Sequence, residues 1–253
     1  MKVIDLILSK PLLKAQNEFI HEEQMGQQPG KGVCTQLTRL RRDIADFTKE
    51  KKQRWVVMID LSKAYQSVDR NRFHEICRNN NLMSDDEIKV HKFISDRTRI
   101  SYGDPTKGGK STKTKIGFNQ GTASSGWAFN IAINDIIDEL RKSNREVYLF
   151  CDDILILTDS KNDAKLVWNQ VKDWCNNIGK MKVNKKKCAV MKIGRQEKKP
   201  TSISNDIERV FEYKYLGINL NSKLEMKKDL KIIKGRNEFY SQQTYAFTNK
   251  SFK

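Results

Sequence analysis

Apolar residues along the chain fall into short uninterrupted runs that are typical of buried strands. Residues 55–59 form one such run, which ends on Asp60. Two further runs within 147–157 meet at Asp152 and Asp153, a pattern that predicts a β-hairpin with an acidic apex. We predict three more strands downstream, over 188–193, 207–211 and 215–220.

Between these strands the apolar residues recur every three or four positions, which predicts helices. The clearest case is 164–178, where Gly179 follows at the position of a C-terminal cap. Trp168 lies outside the apolar stripe of this helix, and we expect it to be exposed. Ser84 and Glu87 have the spacing of a capping box at another helix start. The pattern also predicts a helix over 124–140 and a basic amphipathic segment over 224–240.

Together these elements predict one continuous α+β unit, because no Gly/Ser linker or internal repeat divides the sequence. The segment 100–116 has glycines and a proline at its centre and lysines along its length, which predicts a basic β-hairpin with a loose tip. We expect this hairpin to lie along a phosphate backbone and to contact it through Lys107, Lys110, Lys113 and Lys115.

The charge balance favours a polyanionic partner. The chain of 253 residues carries 48 Lys and Arg against 31 Asp and Glu, a formal net charge of +17. With 38% hydrophobic and 9% aromatic residues, the composition excludes a fully disordered, collagen-like or coiled-coil chain. No apolar run approaches the ~20 residues of a membrane span. The N-terminus resembles neither a signal peptide nor a transit sequence, so we expect a protein that is not secreted.

The cysteines and histidines give no sign of a metal cluster. The five cysteines contain no C-x-x-C pair, and the three histidines are too few for a His-based cluster. We therefore expect a reducing compartment and no structural zinc.

Three carboxylates accompany the apolar strands, namely Asp60, Asp152 and Asp153. Clustered acids repel one another unless cations neutralise them, and hard oxygen ligands are those that Mg²⁺ prefers. Two such ions about 4 Å apart would serve in-line nucleotidyl transfer. The alternative interpretation is a solvated turn at Asp152 and Asp153 with a helix cap at Asp60. For a single Asp pair taken alone, that alternative is the commoner outcome.

Six short motifs, taken in order, resemble those of reverse transcriptases of the non-LTR retroelement and group II intron type. They are QMGQQPGKG at 24–32 followed by Gln36 and Leu37, VMIDLSKAYQSVD at 57–69, GFNQGT at 117–122 with the helix after it, FCDD at 150–153, KVNKKK at 182–187 and YKYLGI at 213–218. Together they span about residues 18–225. The resemblance implies a right-hand polymerase with partial fingers over 1–54, a palm over 55–225 and a truncated thumb or docking tail over 226–253.

The resemblance also implies roles for individual residues. Asp60 and Asp152 become the catalytic metal ligands and Asp153 the supporting acid, for two Mg²⁺ ions or Mn²⁺ in their place. Tyr65 stands at the steric gate, where an aromatic ring occupies the space of a ribose 2′-hydroxyl and favours deoxynucleotides. The nucleotide pocket takes Leu61 and Gln120, with Lys31 approaching the triphosphate and Lys187 near the leaving phosphates. The nucleic acid is contacted by Lys182, Lys185 and Lys186 and by the primer grip at Tyr215, Leu216 and Gly217.

The chain departs from the family pattern in three places. Asn119, Ala123 and Gly126 stand where prolines are usual, Gln27 and Gln28 replace a Phe-Arg pair, and the segment after Gly217 is shorter than a three-helix thumb.

Two functions therefore stay open. The first is an RNA-directed DNA polymerase that uses dNTPs on a primed RNA template or an RNA–DNA hybrid. The second is a catalytically idle RNA-binding subunit of a larger ribonucleoprotein, for example of the organellar ribosome type. In both we expect protein neighbours that replace the thumb and hold the termini, and no membrane. The compartment stays open, with a mobile element or an organellar, mitochondrial genome as alternative origins.

Overall fold

The computed structural model describes residues 2–49, 53–97, 99–102, 110–118, 123–142, 145–194 and 203–221. Strand β1, Arg54–Ile59, lies at the centre because all its residues after Arg54 are buried. It pairs antiparallel with β6 (Asp153–Thr158) on one side and β8 (Ala189–Ile193) on the other. Strand β5 (Glu146–Phe150) pairs with β6, and β9 (Glu208–Arg209) runs parallel to β8. The sheet order is therefore β5-β6-β1-β8-β9.

Three strand pairs and a set of helices complete the described ranges. The pairs are β2 (Leu61–Ser62) with β7 (Lys182–Val183), β3 (Arg99–Tyr102) with β4 (Lys110–Lys113), and β10 (Glu212–Tyr215) with β11 (Ile218–Asn221). The helices are α1 (Lys2–Phe19), α2 (Val33–Lys49), α3 (Ala64–Ser67), α4 (Arg70–Asn79), α5 (Asp85–Arg97), α6 (Ala123–Ile133), α7 (Ile136–Arg141) and α8 (Lys161–Asn177).

The two faces of the sheet pack against different layers, because alternate residues of β1 point to opposite sides. Val57 and Ile59 face a large core that includes side chains from α1, α4, α6, α7 and α8. Val56 and Met58 face a second core formed with α2 and the β10–β11 hairpin. The end of β1, where Asp60 begins the next segment, is therefore held between two packed layers.

Several predicted elements are confirmed. The mixed α+β class, the basic hairpin as β3–β4 and the acidic-apex hairpin as β5–β6 are all present. The capping box is also present, since the Ser84 hydroxyl accepts the Glu87 N–H at 3.3 Å and the Glu87 carboxylate accepts the Ser84 N–H at 2.7 Å.

Two details of helix α8 differ from the prediction. Trp168 is fully buried, because its indole N–H donates to Asp206 at 2.8 Å and the later segment containing Ile203 and Ile207 joins the same core. The left-handed residue after the helix is Lys180 (φ 49°) rather than Gly179. A Cβ on Gly179 would instead lie 2.3 Å from the Trp174 ring, so this glycine permits a close approach.

Three predicted elements are divided or shortened. The helix predicted over 124–140 is two helices, because the Asn134 side chain bonds the backbone of Phe19 and His21 between α6 and α7. The strand predicted over 215–220 is a hairpin with its turn at Leu216 and Gly217. The strand predicted over 207–211 contains only Glu208–Arg209.

Some predictions fall outside the described residues, namely the amphipathic segment 224–240 and the thumb at 226–253. The boundaries of fingers and palm stay predictions. Within the described ranges, no helix is long and apolar enough to cross a membrane.

Candidate active site

Asp60 and Asp152 line one pocket, although they lie far apart in the sequence. The register of β1 with β6 pairs Ile59 with Ile154, so that the residue after β1 lies next to the β5–β6 turn. The pocket measures about 660 Å³ and is also lined by Leu61, Tyr65, Lys182 and Lys187. Antiparallel pairing of β1 with β6 and of β2 with β7 therefore brings together side chains from three of the sequence motifs.

The carboxylates of the β5–β6 turn are in an unfavourable electrostatic setting. Burial and the nearby charge of Asp60 raise the pKa of Asp152, against backbone hydrogen bonding and Lys187, which lower it. Burial, followed by the charges of Asp152 and Asp60, raises the pKa of Asp153 to about 6, although part of its side chain is exposed. Negative charge is thus concentrated beyond what the local cation neutralises, as at a site that receives a cation.

Asp60 is held by groups from the segment after β7. The Asn184 side chain donates to its Oδ2 at 3.3 Å, and Lys187 Nζ lies 3.5 Å from its Oδ1. The backbone is fixed as well, since the Asn184 N–H donates to the Asp60 carbonyl at 2.9 Å. Lys187 is 69% exposed, so its ammonium is at the pocket surface and can meet an anion there.

The donor set suits Mg²⁺ shared with a phosphate ligand. Mg²⁺ is commonly bound through one or two carboxylates plus phosphate oxygens and water. Asp60 and Asp152 offer two such carboxylates, whereas Asp153 is not among the pocket-lining residues. Among the described residues no group of three His, Cys, Asp or Glu forms a ready metal cage. The residues therefore fit a metal that arrives with a nucleotide, rather than a closed structural site.

Tyr65 is held by an aromatic contact at the pocket. Its ring stacks on Phe129 with centroids 4.4 Å apart. Burial, the Cys151 thiol and the charge of Asp152 all raise the pKa of Tyr65. Stacking thus holds the Tyr65 ring in the pocket that Asp152 also lines.

The basic residues predicted to bind nucleic acid are placed unevenly. Lys182 lines the pocket, and the side chains of Lys186, Lys113 and Lys115 are exposed. Lys185 Nζ lies 3.2 Å from Asp206, which takes up part of its charge. Lys31 lies in the turn before α2 and is not among the pocket-lining residues. Gln120, Lys107 and the side chain of Lys110 lie outside the described residues.

The predicted primer grip is the turn of the β10–β11 hairpin. Tyr215 is 2% exposed and its hydroxyl accepts a hydrogen bond from Gln36 at 3.2 Å, so its ring belongs to the core. Leu216 is half-buried and Gly217 is exposed. Any contact of this hairpin with a nucleic acid must therefore use the turn or the backbone rather than the Tyr215 ring.

Sequence reasoning missed two residues that support the pocket. Gln24 is buried and hydrogen-bonds the backbone of Cys151, directly before Asp152. Arg70 is also buried and donates to the carbonyls of Gly117 at 2.7 Å and Thr114 at 3.0 Å, which fixes the segment after β4 that leads to the Gln-Gly motif. For Gln24 the available signal was its place as a polar residue inside the motif at 24–32. Nothing in the sequence around Arg70 distinguishes that residue.

The sheet, the layer of helices behind it and the acidic pocket at the end of β1 define the palm of a right-hand polymerase, as predicted. A model of the family described as reverse transcriptase (RNA-dependent DNA polymerase) matches residues 1–220. The chain belongs to the reverse transcriptase family. No curated protein matches it in sequence.

Solved telomerase structures have a similar fold. Apo telomerase from Candida tropicalis, truncated from its C-terminal domain, has a TM-score of 0.61 at 15% identity over 88% of this chain and 44% of that chain. The C. tropicalis telomerase in complex with a TWJ fragment of telomeric RNA has a TM-score of 0.62 at 16% identity, covering 89% of this chain and 37% of that chain. The Candida albicans telomerase in complex with a TWJ fragment of telomeric RNA has a TM-score of 0.54 at 14% identity, covering 88% of this chain and 37% of that chain. This chain thus spans less than half the length of these telomerases, and the likeness concerns the fold.

Proposed function

We propose that the chain is the palm and part of the fingers of an RNA-directed DNA polymerase, which transfers nucleotides from dNTPs to a primer on an RNA template. The observation that carries this proposal is that Asp60 and Asp152 share one pocket with Tyr65 and Lys187. Family membership alone would leave open whether these groups meet. Their meeting in one concave site is what nucleotidyl transfer needs.

In this mechanism Asp60 and Asp152 would hold Mg²⁺, or Mn²⁺, together with triphosphate oxygens, and Asp153 would add negative charge behind them. The ions supply Lewis-acid activation and neutralise charge that develops on the phosphates. Lys187 attracts the triphosphate through its exposed ammonium, and Lys182 extends the positive charge along the pocket. The Tyr65 ring excludes a 2′-hydroxyl, because Phe129 prevents it from swinging aside.

The formal charge of +17 and the exposed lysines on β4 and after β7 support RNA, or an RNA–DNA hybrid, as the partner. Such contacts bind the phosphate backbone and weaken with salt. We further propose that protein neighbours complete the thumb side of the site.

One observation favours the idle RNA-binding subunit as a second candidate. Gln28 stands where relatives carry an arginine, and its side-chain amide donates to the Gln24 carbonyl within its own turn. This turn therefore offers the triphosphate no cation at that position. A polymerase with this chain must rely on Lys187, Lys182 and the metal instead.

Primer extension on an RNA template with dNTPs and Mg²⁺ tests the proposal, with Asp152→Asn as the inactive control. We expect the variant to lose activity by on the order of 10³-fold, because a metal-holding carboxylate contributes several kcal/mol to the transition state. It should retain salt-dependent RNA binding. If the wild-type protein binds RNA but extends no primer with any divalent ion, the polymerase proposal is wrong and the chain is the idle RNA-binding subunit.

A further inference from the structure

Residues 23–25, which precede the turn containing Gln27 and Gln28, run alongside strand β5. The Leu149 N–H donates to the Glu23 carbonyl at 3.0 Å, and the Met25 N–H donates to the Leu149 carbonyl at 2.9 Å. Gln24 and Leu149 accordingly form a parallel bridge. Residues 23–25 thus extend the sheet next to the strand that leads into Asp152.

Within this segment, Gln24 bonds both backbone polar groups of Cys151. Its Oε1 accepts the Cys151 N–H at 2.8 Å, and its Nε2 donates to the Cys151 carbonyl at 3.2 Å. The same Oε1 accepts the Gly26 N–H at 3.0 Å, which orients the amide. Gln24 is 1% exposed, so water does not compete for these bonds.

Cys151 needs such support because its backbone is in the left-handed region, at φ 55°. A residue with a Cβ is unfavourable there unless its surroundings determine the conformation. Gly26 closes the contact from the other side, since a Cβ on it would lie 2.4 Å from the Cys151 nitrogen and 2.6 Å from Cys151 Sγ. Asn130 in turn holds Gly26 by donating to its carbonyl at 2.7 Å.

We infer that Gln24 is a positioning residue for Asp152, and that it acts by holding Cys151 in the left-handed conformation that aims the next side chain into the pocket. The inference deepens the proposed polymerase function and rests on it. If Cys151 relaxed to a common backbone conformation, the Asp152 carboxylate that follows it would move out of its place in the pocket.

The test compares Gln24→Met with Asn134→Leu. Asn134 is a matched control, because it is also a buried amide that bonds one backbone N–H and one carbonyl, those of His21 and Phe19. It supports the same chain segment without touching Cys151. Gln24→Met loses three amide–backbone hydrogen bonds and Asn134→Leu loses two. The unfolding midpoints of the two variants in urea measure any general loss of stability.

Three readouts separate positioning from stability. Gln24→Met should weaken Mn²⁺ binding, measured by EPR of free Mn²⁺ without substrate, by about 10-fold or more, since residues that orient metal ligands typically contribute 10–100-fold. It should lower kcat for primer extension with little change in the KM of the primer–template. It should also raise the rate at which iodoacetamide alkylates Cys151 several-fold, with the partly exposed Cys34 as the internal reference in mass spectrometry. Asn134→Leu should change none of the three.

The milder Gln24→Glu keeps the acceptor for the Cys151 N–H and loses the donor to its carbonyl. Its Cys151 alkylation rate should fall between those of wild type and Gln24→Met, which preserves the test if the methionine variant unfolds. Equal effects of Gln24→Met and Asn134→Leu, or unchanged Cys151 alkylation in both Gln24 variants, would overturn the inference. Failure of the proposed function looks different, because wild type itself would then neither bind Mn²⁺ nor extend a primer, whatever the alkylation rates.

Discussion

Two tight turns of this protein place a residue with a side chain in the left-handed backbone region, and they are held in different ways. In the β5–β6 turn the residue is Cys151 at φ 55°, and in the β10–β11 turn it is Leu216 at φ 46°. Cys151 is held by the distant Gln24 and packed against Gly26. Leu216 is followed by Gly217 at φ 83°, with nothing within 4 Å of where its Cβ would be.

The difference shows how one backbone conformation can be stabilised locally or by tertiary contacts. Two consecutive residues with positive φ are typical of a hairpin turn, so the β10–β11 turn needs only its own glycine. The β5–β6 turn presents Asp152 and has one such residue, so other parts of the chain must fix it. We therefore expect the β5–β6 turn to be far more sensitive to substitution.

The largest expected effect comes from adding one methyl group to each turn. Gly26→Ala places a Cβ 2.4 Å from the Cys151 nitrogen, and we expect it to lower the free energy of unfolding by about 2–3 kcal/mol and to abolish primer extension. Gly217→Ala meets no atom and should lose only about 1 kcal/mol through its left-handed backbone. Urea unfolding measures the loss of stability in each variant. Similar losses in the two variants would show that the two turns are equally sensitive to substitution.

The next effect concerns the proposed steric gate at Tyr65, which shares its pocket with Asp152 of the β5–β6 turn. Tyr65→Ala should reduce discrimination between dNTPs and rNTPs by about 10–100-fold, because the ring that fills the 2′-hydroxyl space is gone. Tyr65→Phe keeps the ring and its stacking on Phe129, and should retain most of the discrimination. The ratio of kcat/KM for matched dNTP and rNTP pairs gives the answer. Unchanged selectivity in Tyr65→Ala would remove the gate from the mechanism.

Comparison of the turns requires a pH at which the fold itself is intact, and a buried histidine pair limits that range. His74 Nε2 lies 2.8 Å from His91 Nδ1, and burial, then the neighbouring His91 and cations, lowers the pKa of His74 to about 3. The neutral form is favoured in the fold, so its contribution is full above the unfolded pKa of about 6.5 and declines as pH falls towards 3.

This single group should make the free energy of unfolding fall by about 1.4 kcal/mol per pH unit below pH ~6. Urea titrations at several pH values measure the slope for wild type and His74→Gln. In His74→Gln the decrease of the free energy of unfolding per pH unit should be smaller by about 1.4 kcal/mol, the contribution of one proton. Parallel curves for the two proteins would show that His74 does not titrate on unfolding.

The smallest expected effect is a stabilisation of the β10–β11 turn. Leu216→Asn should raise the free energy of unfolding by about 0.5 kcal/mol, since Asn tolerates the left-handed region better than Leu. Cys151→Asn should give no such gain, because the Cys151 side chain is buried and packs closely against Gly26. Thermal or urea denaturation distinguishes the two variants. Equal stabilisation would mean that Gln24 does not determine the conformation of Cys151.

Sequence patterns were sufficient for features that depend on neighbours along the chain. The apolar run before Asp60, the Ser84–Glu87 capping box and the acidic hairpin apex were all predicted where they occur. The order of the motifs predicted the reverse transcriptase family, which the family match confirms. These features are local because strand period, cap geometry and motif spacing involve residues a few positions apart.

Features that depend on distant packing were missed or misplaced. Trp168 is buried by Asp206 and its neighbours, and the close approach at Gly179 depends on the Trp174 ring. Tyr215 lies in the core, where the side-chain amide of Gln36, far away in the sequence, donates to its hydroxyl. The chain alone thus determined the class of protein and the acids that it places at strand ends. Only the tertiary structure decided that Gln24 secures the turn carrying Asp152, because hydrogen bonds across more than a hundred residues leave no periodic trace.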